Sequence, residues 1–126
     1  MVTKNYIPER GDVVWINFDP QSGHVPQPRP KVEGSPLAQK GKRPAIVISP
    51  KEYNKKVGLG LFCPITSKIK NYPFEVSISI KKVKGVVLSD QIKSFDWTTR
   101  KIEFIAKEKP EKIEEIINKL SVLIHE

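Results

Sequence analysis

In the stretch FEVSISI, apolar and polar residues alternate cleanly: Phe74, Val76, Ile78 and Ile80 fall on one side, Glu75, Ser77 and Ser79 on the other. That period of two predicts a half-buried β-strand facing a core. VVWINFD (Val13–Asp19), opened by Gly11-Asp12, is β-branched and aromatic and predicts another. AIVIS (Ala45–Ser49) and LGLFCPI (Leu59–Ile65) are almost wholly apolar, so they predict strands covered on both faces, the first closed by Pro50. GVVLSDQI (Gly85–Ile92), preceded by the basic turn KKVKG (Lys81–Gly85), and IEFIA (Ile102–Ala106) complete the strand set. Between them KEYNKKVG (Lys51–Gly58) is polar and predicts a short helical turn.

At Pro110 the period changes. A proline in the first helical position lacks only a donor that the helix would not have used. Glu111, Glu114 and Glu115 suit the positive end of the helix dipole, and Ile113, Ile116, Ile117, Leu120, Leu123 and Ile124 form one apolar stripe for a core or a partner subunit. Short strands with frequent turn signals and one terminal helix predict a mainly β domain, a small and strongly bent antiparallel sheet or barrel. The chain reads as one domain over residues 1–126, with an extended loop at about 20–42 and a helix at about 110–125. The loop contains Pro20, Pro26, Pro28, Pro30 and Pro36 with Gly23, Gly34 and Gly41, which exclude a helix or a central strand. Connections of this length usually carry function or move.

Charge adds a direction. The net charge is +8, and residues 1–107 hold 19 Lys and Arg against 9 Asp and Glu, whereas residues 108–126 carry a net −2. A basic body suits a polyanion or an acidic protein, and equally a surface kept charged for solubility. The single cysteine, Cys63, excludes an intrachain disulfide and a Cys-cluster metal site, and its apolar setting predicts an inert thiol. With no secretory segment and no membrane-length apolar run, the expected location is the cytoplasm, with no membrane partner. Phosphate-loop, zinc-helix and nucleophile-elbow signatures are missing, and His24 and His125 are the only histidines. Any catalysis would be built from Arg, Thr or Ser, Asp and His24, without a metal or other cofactor.

Four blocks in order then carry a resemblance: GDVVWINFDPQSGH, GKRPAIVISPKEYN, CPITSK with YPFEV, and GVVLSDQIKSFDW. Together they resemble the MazF/PemK toxins, the ribosome-independent mRNA interferases of type II toxin–antitoxin modules, from about Gly11 to the C-terminal helix. The resemblance implies an SH3-like antiparallel barrel with a C-terminal helix, acting as a homodimer. It implies sequence-specific, metal-independent cleavage of single-stranded RNA, and silencing by a cognate acidic antitoxin. In such cleavage the RNA 2′-OH attacks its own 3′-phosphate, and the enzyme must stabilise the extra charge on the phosphorane. A guanidinium suits this because it stays charged and offers a rigid fork of donors. The family arginine maps to Arg43, the threonine to Thr66, the acidic residue to Asp90 and the loop histidine to His24. The same resemblance assigns RNA contacts to Ser67, Gln91, Gln39, Lys42 and Lys68.

Each of these has a plainer reading. Arg43 would otherwise be a solvated cation flanking a strand, Thr66 and Ser67 turn-capping hydroxyls, Asp90 and Gln91 turn positions, and His24 a bystander on its loop. Trp15 and Trp97 read as core, with base stacking as the other option. The chain also departs from the family pattern. His24 is followed by a long insertion, Ala38 stands where the family has an acid, Glu33 is the substitute the insertion offers, and Leu88 replaces an arginine of the plasmid branch. The general base is then Asp90 or His24. A gyrase-poisoning toxin of the same fold and a non-catalytic basic barrel are the alternative functions. The chain end Leu123-Ile124-His125-Glu126 lacks the aromatic-Gly-Ile tail of the former.

Overall fold

The apolar runs are continuous because the central strands are covered on both sides. In the computed structural model, which describes residues 6–17 and 41–125, β1 (Asp12–Asn17) lies between β2 (Lys42–Val47) and β7 (Glu103–Lys107), antiparallel to both. Successive residues of β1 and β2 point to opposite clusters. Val13 and Ile46 join a core with Cys63, Val76, Val87, Ile113 and Ile116, while Val14, Ile16, Ala45 and Val47 join Phe62 on the other face. Trp97 is half-buried against this second cluster, and Trp15 is half-buried as well.

β3 (Gly60–Thr66) is the strand that the others share. It pairs with β2 through Ala45–Pro64, Ile46–Cys63 and Val47–Phe62. Its last residues pair with β5 (Val83–Leu88) through Ile65–Val87 and Thr66–Val86, and its first with β6 (Lys93–Phe95). β5, a 3₁₀ turn at Ser89–Gln91 and β6 thus run as one broken strand along β3, and β4 (Glu75–Ile80) closes the sheet beyond β5. The seven strands are ordered β4-β5-β3-β2-β1-β7, with β6 also on β3. This curled, barrel-like sheet with a terminal helix is the mainly β architecture that the strand rhythm predicts.

Several boundaries differ from expectation. β2 begins at Lys42, so Arg43-Pro44 lie inside a strand, because Asn17, Ile16 and Trp15 of β1 continue the ladder beside them. The predicted loop loses its last residue to that strand, and its segment 20–40 lies outside the described residues, as do His24, Glu33 and Gln39. The basic turn is shorter than predicted: Lys81, at φ 55°, and Lys82 make it, and Val83 already belongs to β5. β6 and the 3₁₀ turn were not predicted, being short and mostly polar.

The polar segment after Pro50 forms a full helix, α1 (Lys51–Val57), stopped by Gly58 at φ 81°, whose N–H donates to Asn54 O at 2.9 Å. Asn54 is fully buried and satisfied: Ser49 Oγ donates to its Oδ1 at 2.5 Å, its Nδ2 donates to Pro8 O at 2.8 Å, and its carbonyl accepts from Trp97 Nε1 at 3.2 Å. Asn54→Ala strands these buried groups and is expected to cost about 1–3 kcal/mol in a urea titration; an unchanged midpoint would remove Asn54 from the fold's supports. The second helix, α2 (Pro110–His125), buries Ile113 and Ile116 but leaves Val122, Leu123 and Ile124 more than half exposed. Its predicted stripe therefore serves this chain's core only over the first half. No helix among the described residues is long and apolar enough to cross a membrane.

Candidate active site

Thr66, Ser67 and Lys68 lie where β3 leaves β2 and joins β5. The β2–β3 ladder ends at Ala45–Pro64, and Arg43 and Thr66 each stand two residues beyond it at the same end. Both positions also share a sheet face. Arg43 follows the alternation of Ala45 and Val47, and Thr66 that of Phe62, all of which line the second cluster. Arg43, Thr66 and Ser67 are half-buried, and Lys68 is exposed beside them. A guanidinium, two hydroxyls and an ammonium group thus belong to residues at the same end of the β2–β3 ladder. That chemistry suits a phosphate.

Thr66 is held from two sides. Its Oγ1 accepts from Lys68 N at 3.1 Å, a local turn bond that does not use the hydroxyl proton. Behind it β5 approaches so closely that a Cβ on Gly85 would lie 2.1 Å from Thr66 O and 3.1 Å from Ser67 Cα. Gly85, which the sequence places where the basic turn meets the next strand, lies within β5 and is the place where two backbones touch. The β3–β4 connection that follows is also tied down. The Glu75 carboxylate accepts from Lys70 N and Asn71 N, both at 2.9 Å, although strand alternation alone points Glu75 to water.

Asp90 stands four residues beyond Val86, exposed on the 3₁₀ turn with Gln91. The structure links it to the β3 end through Tyr72, whose hydroxyl donates to Asp90 Oδ1 at 2.6 Å. That bond is the largest reason why the Tyr72 phenol is pushed up to about 12, with Gln91 acting in the opposite sense. Tyr72 was missed in the sequence, although the YPFEV block contained it. Lys42 is not brought to the cluster. It falls on the opposite face of β2 from Arg43 and pairs with Glu103 of β7 at 3.1 Å. Cys63 is fully buried, and desolvation pushes its thiol up to about 12, which keeps it unreactive. Among the described residues no group of His, Cys, Asp and Glu is placed to hold a metal ion.

Residues 9–124 match the model of the PemK-like, MazF-like toxin of type II toxin–antitoxin systems. Over 123 residues, 98% of this chain and 99% of the relative, the sequence is 38% identical to the endoribonuclease toxin MazF of Escherichia coli strain K12. The endoribonuclease toxin ChpB of the same strain is 32% identical, across 92% of this chain and 93% of its own. Among solved structures, MazF from Deinococcus radiodurans superposes with a TM-score of 0.75 at 40% identity, covering 96% of this chain and 99% of that one. The MazE–MazF complex of that organism gives 0.74 at 37% identity, covering 94% and 96%.

Proposed function

The chain belongs to the PemK-like, MazF-like toxin family of type II toxin–antitoxin systems, and on that premise we propose that it is a sequence-specific endoribonuclease acting on single-stranded RNA. The observation that carries the reading is that Arg43 and Thr66 each stand two residues beyond the last β2–β3 pair, Ala45–Pro64, at the same end of that ladder, with Ser67 and Lys68 following Thr66. The 2′-oxygen attacks the adjacent phosphorus, the bond from phosphorus to the 5′-oxygen breaks, and a 2′,3′-cyclic phosphate and a 5′-hydroxyl result. The proton of the 2′-OH passes to a base, and the leaving 5′-oxygen gains one. Arg43 stabilises the additional phosphorane charge with paired donors, and the hydroxyls of Thr66 and Ser67 hold the phosphate. Asp90 is the candidate base within the described residues, and His24 the one outside them. Arginine, hydroxyl and carboxylate chemistry needs no metal. In this reading the protein works in the cytoplasm as a homodimer and is held silent by a cognate acidic antitoxin; the MazE–MazF complexes of Deinococcus radiodurans support the existence of such a partner.

The test is direct. Purified protein should cut single-stranded RNA in EDTA, leave cyclic phosphate and 5′-hydroxyl ends, and spare RNA carrying a 2′-O-methyl group at the cut site. Salt-sensitive binding without cleavage would replace this reading with a non-catalytic basic module.

A further inference from the structure

The β3–β4 connection is fastened at several points, once to the 3₁₀ turn. Ser89 N donates to Phe74 O at 3.0 Å, Glu75 N donates to Tyr72 O at 3.2 Å, and Lys119 Nζ of α2 donates to Pro73 O at 2.7 Å. Asn71 takes up φ 61°, a left-handed conformation that asparagine tolerates, and so turns the chain toward β4. These bonds anchor the connection at Tyr72–Glu75. The Tyr72 hydroxyl does something different: it joins the connection carrying Ser67 and Lys68 to the carboxylate of Asp90, side chain to side chain, at 2.6 Å. An exposed bond of this kind adds little to stability by itself. Its value lies in orientation, since a carboxylate with Oδ1 occupied presents Oδ2 in a defined direction.

We propose that Tyr72 is a positioning residue for RNA cleavage: its hydroxyl fixes the Asp90 carboxylate and locks the connection after Thr66 against the Ser89–Gln91 turn, so that Thr66, Ser67 and Asp90 address one phosphodiester. This rests on the reading of the site as a ribonuclease. A tyrosine phenol is protonated, and therefore a donor, throughout the neutral range, and the bond to Asp90 pushes this one further up, to about 12. The ring of Tyr72 also lies against Phe74, with centroids 6.3 Å apart, so Tyr72→Phe removes the oxygen and keeps the packing.

The experiment measures kcat and KM on a mapped RNA for the full chain, Tyr72→Phe, Asp90→Ala and the double variant. Tyr72→Phe is expected to lower kcat roughly tenfold, the size of one hydrogen bond to a charged group, with KM little changed. In the Asp90→Ala background the same change should have no further effect, which a loss of loop packing would not produce. The proposal is overturned by wild-type kcat in Tyr72→Phe, by wild-type kcat in Asp90→Ala, or by equal losses in both backgrounds. Amide exchange across Ser67–Tyr72 provides a readout independent of cleavage. Faster exchange in Tyr72→Phe and Asp90→Ala alike supports the lock, and unchanged exchange overturns it. If the full chain cuts no RNA, the functional reading falls, and exchange alone then decides whether the lock exists.

Discussion

Arg43→Ala should lower the rate of RNA cleavage about a hundredfold to a thousandfold, the usual cost of losing a donor to a transition-state oxyanion. The size follows from the role. Charge builds on the phosphorane only during the reaction, so a guanidinium at the same end of the β2–β3 ladder as Thr66 acts on kcat more than on binding. Arg43→Lys keeps the charge and loses the planar fork, so it should fall between the wild type and the alanine variant. Urea unfolding run in parallel separates loss of chemistry from loss of the strand, since Arg43 is a half-buried residue of β2. Equal cleavage by wild type and Arg43→Ala would remove this residue from the site.

Gly85→Ala should be the most damaging change that touches no candidate catalytic group. The added methyl would stand 2.1 Å from Thr66 O and 2.8 Å from its carbonyl carbon, both backbone atoms that cannot rotate away. Either β5 moves off β3 or Thr66 and Ser67 shift, and overpacking of this kind costs about 1–3 kcal/mol or more. A displacement near 1 Å at a reacting group costs on the order of a hundredfold in rate. Cleavage should therefore fall further than the unfolding free energy predicts. Full activity with full stability would show that the close approach is dispensable.

The contrast between these residues shows what the sequence makes legible. Alternation along β4 and the proline opening α2 are local, so the elements can be read directly from FEVSISI and from Pro110. Arg43, Thr66 and Asp90 are legible through the family blocks, because each block records a residue type at a fixed place beside a strand. Gly85 and Glu75 are not, since their roles come from segments that meet only after folding. A glycine after KKVK looks like a turn, and a glutamate between Phe74 and Val76 looks solvent-facing, yet one admits a backbone and the other caps two amides. Tyr72 is hidden for the same reason, as its partner is Asp90 on another turn. Lys42 is the converse case: the resemblance places it with Arg43 among the RNA contacts, and strand alternation puts the two on opposite faces of β2.

The described members of the site all lie between Arg43 and Gln91, on β2, β3, β5 and the short links between them. Arg43 reaches Thr66 through a connection that is mostly helix α1, and Tyr72 reaches Asp90 through the β4–β5 hairpin. The β1–β7 edge, by contrast, closes only when Asp12 finds Lys107. Short closures cost less chain entropy and form sooner than long ones. A growing or refolding chain would therefore assemble its candidate active-site corner ahead of its outer edge, and a toxin that matures in that order needs its inhibitor at hand early.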